Sequence, residues 1–263
     1  MLKELRLSQW VFIAGFGLMQ AGCGIDHREI KNSALGITHG TVVQGSDELA
    51  RSVVALVANA DQGQALCTGT LITEDSVLTA AHCVDENPSA LMIVFSLRVQ
   101  GADPSAVREV TSFVQNPLWG QNSPQGRGDL AVLHFEGGLP IGYQPVTLAT
   151  ADLEITAGLD VMMLGYGVTD GVAQTGAGVL RETETSVIDI ASATEAVTDG
   201  QKTSVCFGDS GGPAFSQEGG QWVQWGVASS VLDQACSQAS IHTEVASYLS
   251  WIQAAASKLR RSN

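Results

Sequence analysis

Short apolar runs rich in Val, Leu, Ala and Thr alternate along this chain with clusters of Gly, Asp, Asn and Ser. Val53–Ala58, Leu91–Val99, Val110–Val114, Leu130–Phe135, Val161–Leu164 and Val223–Ala228 read as strands. Runs this short, bounded by turn formers, argue for an all-β protein with many turns rather than for a helical one. The Gly-rich stretch Val168–Val179 reads as a surface loop. The spacing changes near the C-terminus, where Val245, Tyr248, Leu249 and Ile252 recur at helical intervals with Trp251 beside them.

The N-terminus follows a different pattern. Lys3 and Arg6 precede an apolar stretch from Trp10 to Met19, and the small residues Ala21 and Gly22 lead into Cys23. A charged start, a short apolar core and a small-residue exit predict a secretory signal peptide over residues 1–22. The core is too short for a bilayer span, which needs about 20 residues. Ala21-Gly22-Cys23 also resembles the end of a bacterial lipoprotein signal, in which the cysteine is lipidated, although Gln20 stands where that signal carries Leu. The other reading of Cys23 is a leftover free cysteine. Residues 24–41 show no sustained periodicity, so 23–41 is expected to be a pro-segment or linker outside the fold.

Composition narrows the function classes. A chain of 263 residues can form one large domain or two small ones around a real apolar core. The formal net charge of −14 repels phosphate backbones and argues against a nucleic-acid partner. Besides Cys23 there are four cysteines, Cys67, Cys83, Cys206 and Cys236. An even set fits two disulfides in an oxidising compartment; a zinc site is the alternative, weakened because no pair has CxxC spacing.

Three motifs carry candidate chemistry. Ser210 lies in Cys206-Phe-Gly-Asp-Ser-Gly-Gly-Pro213. A serine becomes a nucleophile only when a base takes its proton, and the attacked carbonyl then needs donors for its negative charge. Flanking glycines let backbone N–H groups converge on one point, and Gly208 and Ser210 are the candidate donors. His82, in Leu78-Thr-Ala-Ala-His-Cys83, is a candidate base because its imidazole can titrate near neutral pH. His27, His39, His134 and His242 are read as structural. Asp129, at the head of the apolar run Asp129-Leu-Ala-Val-Leu133, must find a partner as it enters a buried strand, and a histidine N–H suits it. Taken alone, each motif could be an ordinary turn or core residue.

Together, TAAHC, DLAVL and GDSGGP resemble the signatures of the trypsin/chymotrypsin family, in the same order along the chain. The resemblance runs over roughly residues 42–255. It implies two six-stranded antiparallel β-barrels closed by a C-terminal helix, with the active site in the cleft between them. In that frame residues 42–263 form a peptidase domain and His82, Asp129 and Ser210 are the triad, with Gly208 and Ser210 as the oxyanion hole. The family further implies Cys67–Cys83 and Cys206–Cys236 disulfides, and Gly165-Tyr166-Gly167 resembles its Gly-Trp-Gly. Val42-Val43-Gln44-Gly45 resembles the family's mature N-terminus, which implies a zymogen cut between Thr41 and Val42 whose new amine pairs with Asp209. Thr41 departs from the Arg or Lys that a trypsin-like activator needs and would suit self-activation; the other reading is that Val42 begins the first strand without a cut.

The family's pocket positions fall on Ser204 at the base and Val231 and Ser240 at the walls, with Ser229 against the triad aspartate and the substrate backbone. Ser204 carries no charge to receive Arg or Lys, and side chains at the walls narrow the slot, as in elastase-like members. The expectation is an endopeptidase acting through an acyl-enzyme on protein or peptide substrates, after small or medium uncharged residues. It would be a secreted, periplasmic or surface-anchored monomer with no metal or other cofactor. The alternatives are a catalytically silent homologue acting as a binding protein, and an esterase, for which GxSxG is the commoner setting.

Overall fold

The computed structural model describes residues 37–45, 47–60, 63–85, 90–121 and 127–262. The leader, Cys23 and His27 lie outside the described residues. The first strand, β1 (Thr41–Val42), is only two residues long. The next six, β2 (Val53–Ala60), β3 (Gly63–Thr73), β4 (Ser76–Thr79), β5 (Leu91–Val94), β6 (Val107–Gln115) and β7 (Ala131–Phe135), close an antiparallel barrel in the order β2-β3-β4-β7-β6-β5. Val54, Leu56 and Ala58 alternate inward on β2 and meet Leu71, Val77, Ile93, Leu133 and Phe135 in its core.

Strands β4 and β7 are buried at every position rather than alternately. The cause is the C-terminal helix α1 (Leu249–Ser262), whose Ile252, Ala255, Ala256 and Leu259 cover Leu78 and Val132 from outside the barrel. A strand buried on both faces reads as a continuous apolar run, as Leu130–Phe135 does.

The second barrel is built from β9 (Asp160–Gly165), β10 (Arg181–Ser192), β11 (Glu195–Asp199), β12 (Pro213–Glu218), β13 (Gln221–Val231) and β14 (Ala239–Glu244). Pairing runs β10-β11-β14-β13-β12-β9, and β9 pairs back onto β10 to close it. β1 extends the sheet at β10, and β8 (Thr147–Leu148) lies parallel to β13. Met163, Ala214 and Trp225 belong to the buried core of this barrel.

The structure corrects two expectations. The run Leu91–Val99 is a strand only to Val94. Beyond it the chain crosses to the second barrel, where Leu180 N–H donates to Leu97 O at 2.8 Å and Val99 N–H to Gly178 O at 2.8 Å. Apolar residues were needed there for an inter-barrel seam, not for a longer strand. The stretch before Val42 also enters the fold. Ile37 is fully buried with the second barrel's core, and Thr38 bridges to Ser204, its N–H donating to Ser204 O at 3.0 Å. Among the described residues, no helix is long and apolar enough to cross a membrane.

Candidate active site

His82 sits in the 3-10 turn Ala81–Val84 that follows β4, and Asp129 lies two residues before β7. Since β4 and β7 are neighbours, the register Thr79↔Ala131 brings the two residues together. The Asp129 carboxylate accepts three hydrogen bonds: His82 N–H at 3.0 Å, His82 Nδ1 at 2.8 Å and Ser229 Oγ at 2.6 Å. Asp129 is 1% exposed, so this bonding offsets the cost of a buried carboxylate. A carboxylate only accepts, so Nδ1 carries the imidazole proton and Nε2 is left with a lone pair. Trp119 lies tilted beside His82, ring centroids 6.3 Å apart, and its indole N–H is tethered to Asp85 Oδ1 at 2.6 Å.

Ser210 comes from the second barrel, in the turn ahead of β12. Thr68 of β3 clamps that turn to the first barrel: its N–H donates to Ser210 O at 2.8 Å and its hydroxyl to Gly208 O at 2.9 Å. The amides around the serine are used unequally. Asp209 N–H donates to Cys206 O at 2.9 Å and Gly211 N–H to Ala228 O at 2.8 Å. Among the described residues, the N–H groups of Gly208 and Ser210 donate to nothing, and both residues are half-exposed. Gly208, at φ +98°, has the left-handed backbone that glycine tolerates best.

Asp209 is wholly buried. Gly167 N–H donates to Oδ1 at 2.7 Å and Cys206 N–H to Oδ2 at 2.8 Å. Burial pushes its carboxyl up to about 7 despite those two amides and the charge of Arg181. A side chain at Gly165 or Gly167 would overlap this carboxylate, which explains the glycines on either side of Tyr166.

His82 and Ser210 share the wall of a cleft of about 290 Å³, with Val205, Phe207, Ala228 and Val231 among its other lining residues. Disulfides join Cys67 to Cys83, beside His82, and Cys206 to Cys236. The ligand-bearing atoms of Cys67, Cys83 and His82 lie within 4.8 Å of one another, but the two sulfurs are bonded together and offer a metal no thiolate.

The trypsin family model matches residues 42–252. The chain belongs to the trypsin family. It is a serine endopeptidase, similar to a chymotrypsin of Phaedon cochleariae at 30% identity over 232 residues, 81% of each chain. Human granzyme M is 26% identical over 237 residues, 84% of this chain and 91% of that protein. Chymotrypsin-like elastase family member 1 of Felis catus is 27% identical over 205 residues, 71% of this chain and 77% of that protein.

Within this trypsin-family site, His82, Ser229 and Ser210 line the cleft, Asp129 lies buried against His82 and Ser229, and Gly208 and Asp209 lie in the Ser210 turn. Of the pocket positions, Ser229 and Val231 line the cleft. Ser204 and Ser240 are fully buried, their hydroxyls 3.4 Å apart, with Ser240 paired to Val231 in the sheet. Val42 pairs with Arg181 on the edge of the sheet and is 37% exposed. Sequence reasoning passed over Thr68, Trp119 and Arg181. Thr68 stands next to Cys67, one of the cysteines the resemblance pairs; the other two carried no local signal.

Proposed function

We propose that His82, Asp129 and Ser210 form the catalytic triad and that the N–H groups of Gly208 and Ser210 form the oxyanion hole. The observation that carries this reading is the pattern of amides in the Ser210 turn. Among the described residues, the N–H groups of Gly208 and Ser210 have no partner, while the one between them and the one after them are bonded. His82 Nε2 takes the Ser210 proton as Oγ attacks the substrate carbonyl, and the two amides hold the resulting oxyanion. The imidazolium, steadied by Asp129, then protonates the leaving amine. Water, activated by His82, frees the acyl group and restores the serine.

The preferred residue before the scissile bond is small or medium and uncharged. No carboxylate lines the cleft among the described residues, and Val231 supplies an apolar wall. Similarity to proteins named chymotrypsin and elastase fits an apolar pocket. A pocket of this kind discriminates by only about 1–3 kcal/mol per methylene, so selectivity is modest.

We further propose a precursor cut between Thr41 and Val42, with residues 1–22 as a secretory leader and Cys23 as a lipid-attachment point. The family match beginning at Val42 supports the cut position, and the two disulfides support an oxidising compartment. Thr41 is itself a small uncharged residue, which suits self-activation; a separate activating protease is the alternative.

A fluorophosphonate probe tests the core of this reading. It should label Ser210, and Ser210→Ala should lose the labelling and at least about 10⁴-fold of peptide turnover. Peptide profiling should show cleavage after Ala, Val or Thr. Absence of labelling in both cut and uncut protein would overturn the triad, and strong cleavage after Arg would overturn the pocket assignment.

A further inference from the structure

The Ser210 turn is held carbonyl by carbonyl. Phe207 O accepts from Val168 N–H, Asp209 O from Gly212 N–H and Ser210 O from Thr68 N–H, each at 2.8 Å. All three donors are backbone amides and depend on no side chain. Gly208 O is the exception: its donor is the Thr68 hydroxyl, at 2.9 Å. Gly208 is a glycine at φ +98°, with no side chain of its own to restrict its torsions.

Thr68 is placed to make that contact firm. It is fully buried, in β3. Its hydroxyl accepts from Tyr166 N–H at 3.1 Å, and a hydroxyl carries a single proton, which is therefore directed to Gly208 O. Its own carbonyl accepts from Thr79 Oγ1 at 2.8 Å, at the end of the strand that leads to His82. A Cβ at Gly212 would lie 3.2 Å from Thr68 Cγ2, so the methyl group also lies against the turn.

A trans peptide unit points its C=O and its N–H in opposite directions. The unit joining Phe207 to Gly208 is aimed by Val168, and the unit joining Gly208 to Asp209 is aimed by Thr68. Only the two torsions of Gly208 lie between them, and with both units held those torsions are set. The unpartnered Gly208 N–H thus keeps one direction before any substrate arrives. Donors aimed in advance stabilise a developing oxyanion without reorganisation at the moment of reaction.

We propose that Thr68 is a positioning residue for the oxyanion hole: its hydroxyl locks Gly208 from the opposite barrel and keeps the Gly208 N–H aimed at the transition state. The proposal rests on the triad and oxyanion reading above. It makes one buried hydroxyl, out of reach of substrate, a determinant of the chemical step rather than of substrate binding.

The test compares Thr68→Val, which keeps the shape and removes the donor, with Thr68→Ser, which keeps the donor. Each is measured in the form of the protein, cut or intact, that a fluorophosphonate labels. One readout is kcat and KM on a peptide with Ala, Val or Thr before the scissile bond. The other is the affinity of a matching peptidyl trifluoromethyl ketone. Its carbonyl carbon takes Ser210 Oγ, the Oγ proton passes to His82, and the adduct presents an oxyanion. Thr68→Val should lower kcat roughly tenfold with KM little changed, short of the roughly 10²–10³-fold that outright removal of an oxyanion donor costs. Ketone binding should weaken by a similar factor, and Thr68→Ser should recover most of both. Should Thr68→Val fail to fold, Thr68→Ala removes the same donor and carries the same expectation. A valine variant with the parent kcat overturns the proposal. So does a rise in KM alone, a fall in kcat without weaker ketone binding, or a serine variant as slow as the valine one. A parent that no fluorophosphonate labels in either form brings down the triad reading, an outcome distinct from a labelled parent indifferent to Thr68→Val.

Discussion

Ser229 Oγ and the His82 imidazole both donate to Asp129 Oδ2, at 2.6 and 2.8 Å. The serine comes from the second barrel and the other two residues from the first, so this hydroxyl ties the aspartate's orientation to the barrel that carries Ser210. Hydrogen bonds to charged groups are worth about 1.5–3 kcal/mol. Ser229→Ala should therefore lower kcat by roughly tenfold, the equivalent of about 1.4 kcal/mol, with KM changing little. Steady-state kinetics on a peptide substrate would show this, and an unchanged kcat would mean that the two His82 contacts hold Asp129 by themselves. Thr68 belongs at the same scale: one residue bonds both Gly208 and Ser210, and its hydroxyl also accepts from Tyr166 N–H at 3.1 Å.

Between β9 and the loop that follows, the chain presses its backbone against the Asp209 carboxylate. A Cβ at Gly167 would lie 2.5 Å from Asp209 Cγ and 2.7 Å from its backbone nitrogen. The second of these is main chain and cannot swing aside. Gly167→Ala should therefore displace the Ser210 turn, costing about 1–3 kcal/mol as overpacking does, with a fall in labelling rate beyond what the stability loss explains. Gly101 is the control. It has a left-handed backbone, φ +78°, but nothing within 4 Å of an added Cβ, so Gly101→Ala should cost about 1–2 kcal/mol of backbone strain and leave labelling intact. Equal effects of the two variants on labelling, measured beside chemical denaturation, would contradict the packing argument.

For the whole molecule, two buried groups set opposing pH dependences. His242 is completely buried, and loss of solvation lowers its pKa from 6.5 to about 4. Between those values the unfolded chain takes up a proton that the native state refuses, so stability falls as pH drops. Asp209 is raised from 3.8 to about 7. Between those values the native state keeps a proton that the unfolded chain has released, so stability falls as pH rises. Each slope is about 1.4 kcal/mol per pH unit, and between roughly pH 4.5 and 6 they cancel. His242→Gln should unmask a decline in stability with rising pH over that window, and Asp209→Asn a rise. Urea denaturation of the three proteins at several pH values checks both signs; parallel pH profiles would refute the pairing.

Contiguous patterns determined much of this protein. The residues around His82, Asp129 and Ser210 were legible because the chemistry of each is written in a few adjacent positions, and the family resemblance joined them and paired the four cysteines. The strand run Val53–Ala58 was legible because a strand buried on both faces reads as a continuous apolar run, and Val110–Val114 because a partly buried strand still leaves a short apolar signature. Tertiary structure decided what those signatures are buried against. Ile37 looked like part of a linker, yet it is buried in a core assembled from residues more than a hundred positions away, and Thr38 reaches Ser204. The tail of Leu91–Val99 pairs with residues 178–180 instead of extending its strand. Arg181 reads as one more polar strand position until β10 sets it beside Gly165 and so near Asp209. Local spacing encodes a residue's own backbone preference and its need for burial. Which distant residue meets that need follows from barrel closure, and closure is a property of all the strands at once.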